Sequence, residues 1–329
     1  MIKDQQNRVH DYLRISLTER CNLRCFYCMP EEGVELAPKS HLMTYEEILA
    51  IATTFVEMGV KKIRLTGGEP LVRKEAHVII EALGKLPIEL GITTNGILVD
   101  RFVDSFKKAG LKAVNISLDT LDRDKFALVT KRDDFEKVRE NIDLLLAEGF
   151  LVKINVVLMR AINFDEIIDF INITEHKNLQ IQFIEFMPFD GNKWDWEKGI
   201  SLAEIIEKAN AHYQESNVLR IEDKPNDTAV NYKIKGYKGS FAVISTITNP
   251  FCSTCNRIRL TANGRIKNCL FSTGETDLLT PFRAGEDIQP IILKSIHSKA
   301  PERGGWESLE AFSKPENHGQ NRSMILIGG

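Results

Sequence analysis

Three cysteines within eight residues constrain this chain more than any other feature in it. The run Cys21-Asn22-Leu23-Arg24-Cys25-Phe26-Tyr27-Cys28 spaces them as C-x3-C-x2-C, and it holds half of the chain's six cysteines. The thiolate is the form that ligates metal, and thiolates this close repel one another unless a cation sits among them. A structural zinc site closes with four protein ligands, so three leave it one short. A four-iron cluster usually takes four cysteines; held by three, it keeps one iron open to a cofactor. The bland alternative is a disulfide plus a spare thiol in a turn. An odd number of cysteines in the run, in a chain that otherwise reads as intracellular, argues against it.

At 329 residues, 43% hydrophobic and 27% charged, the chain has core material for one barrel-sized domain plus an appendage. Its first residues lack the apolar stretch of a secretory signal, and no apolar run approaches a membrane span. A cytoplasmic protein with reduced thiols is therefore expected. The net charge of −3 supplies no global basic field for nucleic acid. It leaves room for a small anionic substrate in a locally basic pocket.

The first two-thirds of the chain alternates between strand-like and helix-like stretches. Strands are expected over 12–18, 61–66, 88–94, 111–118, 151–158 and 179–186. Helices are expected over 45–58, 74–83, 100–109, 135–148 and 164–176, with a further one over 201–212. Thr44 ahead of Glu47 reads as a capping box, and Gly59, Gly110 and Gly149 read as helix stops. Such alternation implies right-handed βαβ units and a parallel sheet. Six repeats suit an incomplete (β/α)6 barrel, although a flat doubly wound sheet would alternate in the same way.

Strand parity sharpens the choice. It groups Arg14 with Ser16 and Thr18, Arg64 with Thr66, Thr93 with Asn95, and Asn115 with Ser117 and Asp119. It also groups Lys153 with Asn155, and Glu185 with Met187. Helices cover the outer face of a parallel barrel, so the polar face points inward. Burying so many polar groups is costly unless water or a ligand meets them. A cavity open to substrate follows. Turn clusters at 188–193 and 224–227, then a change to short β-like runs, place a domain boundary near 225. A partial barrel over 1–225 and a smaller α+β unit over 226–329 are expected.

Two further motifs carry chemistry. Leu65-Thr66-Gly67-Gly68-Glu69-Pro70 ends the second strand; its glycines permit close backbone approach, and its carboxylate can take a cationic amine. Otherwise it is only a tight turn. The other three cysteines, Cys252, Cys255 and Cys269, form a second trio, C-x2-C-x13-C, with none left over. An incomplete zinc knuckle is the alternative reading there. Arg257 and Arg259, directly after it, point the same way if the segment is extended, and arginine suits bidentate phosphate contact.

The first trio resembles the cluster loop of the radical S-adenosylmethionine (SAM) superfamily. That resemblance implies a [4Fe-4S] cluster on Cys21, Cys25 and Cys28, with SAM chelated by the open iron. Tyr27 would lie beside the adenine, Gly68 and Glu69 would hold the methionine amine, Ser117 the carboxylate, and Met187 would pack near the adenine. The 13–21, 64–73, 93–96, 183–188 and 251–260 stretches, with the Ile327-Gly328-Gly329 ending, are similar to the GTP 3′,8-cyclase family within that superfamily. This second resemblance implies another [4Fe-4S] cluster on Cys252, Cys255 and Cys269. It places Arg14, Arg64, Thr93, Lys153, Arg257, Ile258 and Arg259 against GTP. Arg14, Arg257, Arg259, Gly328 and Gly329 would serve catalysis, the glycine tail reaching into the cavity. The implied reaction is reductive SAM cleavage, hydrogen removal from C3′ of GTP, and closure onto C8 to give 3′,8-cyclo-7,8-dihydro-GTP, the first step of molybdenum cofactor biosynthesis. A flavodoxin- or ferredoxin-like reductant and a downstream cyclic pyranopterin monophosphate synthase would be partners of a monomer or homodimer. Glu19 departs from the family's usual Asp, and 240–244 lacks an expected glycine. The competing readings are a radical SAM peptide-modifying maturase, which normally needs more auxiliary cysteines, and a non-catalytic metal carrier.

Overall fold

Six parallel strands follow one another in chain order: β1 (Tyr12–Ser16), β2 (Lys62–Thr66), β3 (Glu89–Thr94), β4 (Ala113–Ser117), β5 (Leu151–Leu158) and β6 (Leu179–Glu185). They belong to the computed structural model of the chain, which describes residues 1–329 apart from 31, 307, 309, 311–313, 315–316, 318–320 and 329. Between them run α1 (Tyr45–Glu57), α2 (Ala76–Leu83), α3 (Val103–Lys108), α4 (Arg123–Thr130), α5 (Phe135–Ala147) and α6 (Ile167–His176); α7 (Leu202–Tyr213) follows. The Thr44 capping box forms at the start of α1, and α1, α3 and α5 each end just ahead of their expected glycines. Apolar strand positions such as Leu13, Ile15, Ile63, Leu65, Val114 and Ile154 are almost fully buried in the main core, together with Ile48, Ile51 and Phe55 of α1.

Two features depart from expectation. First, α4 was not foreseen, because it has no sustained apolar stripe. Asp122 caps it by accepting from the Lys125 amide at 2.8 Å, and only Phe126, Val129 and Thr130 are buried. Its C-terminal carbonyls brace the first cysteine loop, Thr130 accepting from the Arg24 amide and Val129 from the Phe26 amide. Second, the C-terminal third extends the same sheet at both edges. β9 (Ser240–Ile244) pairs parallel with β6, and β10 (Arg257–Leu260) pairs parallel with β1. β7 (Val218–Arg220) and β8 (Val230–Ile234) finish one edge; β11 (Arg265–Lys267) and β12 (Thr276–Asp277) finish the other. Residue 225 therefore falls in the connection of an antiparallel hairpin, where pairing holds both sides to one sheet. Side chains from both ends of the strand order line a single cavity, so the sheet curls into an open barrel.

Candidate active site

Strand parity places most of the polar side chains as expected; Ser16 and Thr18 are buried without lining the cavity, and Glu185 turns away from it. Arg14, Arg64, Thr93, Asn115, Ser117, Lys153 and Asn155 all line a cavity of about 490 Å³. Tyr12, in register with Arg14, lines it too and accepts from Arg64 Nε at 2.6 Å. Glu185 departs most clearly. On β6 the cavity side belongs to Gln182 and Ile184, while Glu185 takes the Ile247 and Thr248 amides at 2.7 and 3.2 Å. Met187 still reaches the cavity, because the strand ends at Glu185 and parity stops applying beyond it. Ile258 also needs correcting as a side-chain contact: it alternates with the two arginines, is fully buried in the apolar core and does not line the cavity.

Both cysteine trios open onto this cavity. Cys21 follows the C-terminal end of β1; Cys255 precedes the N-terminal end of β10, which runs parallel beside it. The trios therefore lie toward opposite ends of the barrel. All six thiols are half-buried and unpaired. Burial pushes the Cys21 thiol up to about 11 and Cys28 up to about 12, with further repulsion from Glu69 on the first and from Cys21 and Asp119 on the second. Cys25 is driven up by burial, then by Asp119 and the other two sulfurs. Such a set can ionise together only around added positive charge. Among the described residues, no three metal-binding side chains converge on a position for one ion. A cluster takes one thiolate per iron, so it does not need such convergence. The donor set thus fits an iron–sulfur cluster at each trio. In the second trio burial also raises Cys252, whereas Lys299 and Arg257 overcome burial at Cys255 and lower it; Lys299 Nζ lies 3.3 Å from its sulfur.

The Gly67-Gly68-Glu69-Pro70 turn sits between the first trio and β3. A Cβ on Gly68 would fall 2.5 Å from the Arg20 carbonyl oxygen, and one on Gly67 2.7 Å from that of Thr18. The glycines thus let the turn pack against the approach to Cys21, a scaffold role that motif reading alone had not separated from ligand approach. Glu69 accepts from Thr94 Oγ1 and the Asn95 amide, both at 2.7 Å, and from the Leu71 amide at 3.0 Å. Burial nevertheless raises its carboxyl to about 7, a group held ready for a cationic partner. Tyr27 donates to Asp119 Oδ2 at 2.7 Å, and burial lifts that carboxyl to about 6.

Toward the other trio the cavity is cationic. Arg14, Arg64, Lys153, Arg257, Arg259 and Lys267 all line it. Among the described residues, Arg64, Lys153, Arg257 and Arg259 form no ion pair with a carboxylate. Burial, then the charge of Arg257, lowers Arg259 to about 10; burial, then Arg64, lowers Lys153. Arg257 stacks over the Tyr12 and Phe251 rings at 5.6 and 5.3 Å. Sequence reasoning missed Tyr12, Gln182 and Lys267. Parity with Arg14 could have found Tyr12; nothing short of the β10–β11 pairing could have found Lys267.

The C-terminal tail enters the same space. Ile325 and Ile327 are buried, Ile327 among Met159, Phe186, Phe189, Trp194, Ile247 and Phe271. Gly328, at φ +76°, offers its carbonyl to Arg259 Nη1 at 2.5 Å. Gly329 lies outside the described residues.

An open α/β barrel with an iron–sulfur donor set at each end and a cationic wall between them is the arrangement of a cluster-dependent enzyme acting on an anion. The superfamily model described as Radical SAM matches residues 15–173, and the one described as Molybdenum Cofactor Synthesis C matches 179–304. A GTP 3′,8-cyclase of Thermodesulfovibrio yellowstonii is 44% identical over 335 residues, covering 100% of both chains. Molybdenum cofactor biosynthesis protein 1 of Dictyostelium discoideum is also 44% identical, over 100% of this chain and 52% of that one. The chain thus spans about half the length of several curated relatives it matches. Streptococcus suis SuiB bound to S-adenosylmethionine has the same fold, with a TM-score of 0.61 at 16% identity over 88% of this chain and 68% of that one. The chain belongs to the radical SAM superfamily and, within it, to the GTP 3′,8-cyclase family.

Proposed function

We propose that this protein converts GTP to 3′,8-cyclo-7,8-dihydro-GTP by radical chemistry, as the names of its full-length relatives suggest. The observation that carries the substrate is the group of buried and half-buried cations without carboxylate partners, lining one cavity with the second cysteine trio. Like charges held together in low dielectric call for a polyanion, and arginine forks match phosphate oxygens. Cys21, Cys25 and Cys28 would hold the cluster at which SAM binds, and the bound cofactor would supply the radical chemistry for hydrogen removal. The residues of this chain do the rest by placement. Glu69, with Gly68, receives the methionine amine, Ser117 the carboxylate, and Tyr27 and Met187 flank the adenine. Arg14, Arg64, Thr93, Lys153, Arg257 and Arg259 hold GTP with its ribose toward SAM, and the walls exclude water. Residues 1–225 carry the first trio and residues 226–329 the second, and both contribute to the one cavity. A small acidic redox protein supplies electrons, a downstream synthase takes the product, and the site of action is the cytoplasm. No helix among the described residues is long and apolar enough to cross a membrane.

Anaerobic reconstitution should give about eight irons per chain, four per cluster, and alanine at Cys252, Cys255 and Cys269 together should halve it. Four irons in the unmodified protein, or stoichiometric zinc, would sink the two-cluster reading. Incubation with GTP, SAM and reductant should yield 5′-deoxyadenosine and an equimolar product with the mass of GTP but a different retention time. SAM cleavage without any GTP-derived product would defeat the substrate assignment.

Arg257→Ala removes a charge-assisted contact worth roughly 1.5–3 kcal/mol. GTP binding should weaken by about ten- to a hundredfold. Arg259→Ala should weaken it comparably and also free the tail carbonyl. Equilibrium dialysis with each ligand checks this: SAM affinity should hardly change, and matched losses would mean that the arginines serve folding instead.

A further inference from the structure

We propose that Arg322 is a positioning residue that sets the tail against the substrate cavity by tying both cysteine loops and the tail to one guanidinium. The inference deepens the reading above and rests on it for its catalytic consequence alone. Arg322 Nη1 donates to Glu275 Oε2 at 2.9 Å; Nη2 donates to Glu19 Oε1 and to the Leu326 carbonyl, each at 3.2 Å. Glu19 stands two residues before Cys21, Glu275 six after Cys269, and Leu326 two before Gly328. One side chain therefore reaches the approach to each trio and the last turn of the chain.

The carboxylates are well placed for this. The Glu19 side chain is 3% exposed and that of Glu275 9%. Glu19 Oε2 is fixed by the Ala37 amide at 2.8 Å, which leaves Oε1 for the arginine. Glu19 thus holds the Ala37 amide with one oxygen and Arg322 with the other. The helix Met324–Ile327 is a single turn, too short to persist without tertiary support. Its terminal carbonyls have no partners within the helix. Arg322 satisfies the one at Leu326, and Gly328 leaves the helix toward Arg259 from there. Removing the guanidinium frees that carbonyl, leaves the buried Glu19 carboxylate without a cation and leaves Glu275 only the nearby charge of Lys267. Lysine could reach one carboxylate but not all three acceptors at once.

The test uses the full chain with both clusters reconstituted. In Arg322→Ala, amide hydrogen exchange across 324–328 should quicken by at least about tenfold, the equivalent of one lost buried contact. Reductive SAM cleavage should stay within about twofold while cyclised product per SAM cleaved falls by about tenfold or more. Arg322→Lys should restore part of both losses, which a purely structural defect would not show. Glu275→Gln, which keeps the Glu19 pair, should shift tail exchange in the same direction by less. If Arg322→Ala fails to fold, Glu275→Gln decides alone. Unchanged tail exchange in the folded variants overturns the proposal, as does parallel loss of cleavage and product at a constant ratio. The exchange measurement needs no GTP, so failure of the cyclase reading is distinguishable from failure of this one.

Discussion

Cys25→Ala is expected to abolish reductive cleavage of SAM, whereas Cys255→Ala is expected to retain it, uncoupled from GTP turnover. The contrast follows from where the two sulfurs stand. Cys25 lies between Cys21 and Cys28 in a loop braced by α4 and by its own carbonyl, which takes the Cys28 and Met29 amides at 3.0 Å. Alanine there leaves two ligands for a cluster that three already hold incompletely, and the site for SAM goes with it. Cys255 belongs to the other end of the barrel, beside Lys299 and Arg257. Its loss removes an anchor for the substrate end without touching Glu69, Ser117 or the first loop. 5′-Deoxyadenosine should therefore still form, within about tenfold of the unmodified rate, while cyclised product disappears. Measuring both products in each variant is decisive: equal loss of 5′-deoxyadenosine in the two would contradict the division of labour.

Removal of Gly328 and Gly329 should have an effect nearly as large. A terminal glycine pair is ordinarily the most dispensable part of a chain. Here the preceding turn is anchored, with Ile325 and Ile327 2% and 1% exposed, and Gly328 is buried at φ +76°, beyond easy reach of any other residue. A Cβ on it would lie 2.8 Å from Thr66 Oγ1 and 2.9 Å from Ser16 Cβ. Truncation should leave folding, both clusters and SAM binding intact but cut cyclised product by at least about tenfold, through loss of the carbonyl that Arg259 binds. Gly328→Val, which keeps chain length, should do the same by clash and strain. Near-normal turnover in both variants would reduce the tail to a tail.

Local chemistry made much of the site legible. Strand period put Arg14, Arg64, Thr93, Asn115 and Lys153 on one face, because alternate side chains must point to opposite sides whatever the sheet becomes. The same rule failed at Glu185, at the end of its strand, and it could not say that Ile258 contributes packing where its neighbours contribute charge until β10 had a place in the sheet. The helix α4 escaped notice because two or three buried residues make no periodic signal, although it supports the first cysteine loop.

By itself, then, the sequence determined the donor sets, the βα alternation, the polar lumen and the glycine ending, since spacing, period and residue chemistry act over a few residues. Only the tertiary structure decided that the C-terminal strands close around the same cavity instead of forming a separate unit. The parallel pairing of β10 with β1, and of β9 with β6, joins segments more than two hundred and about sixty residues apart. No local propensity encodes such pairings, because they depend on which edges remain unsatisfied once the first six strands have assembled. That closure sets the two trios at opposite ends of one chamber and brings Arg259, Gly328 and Arg322 into their positions.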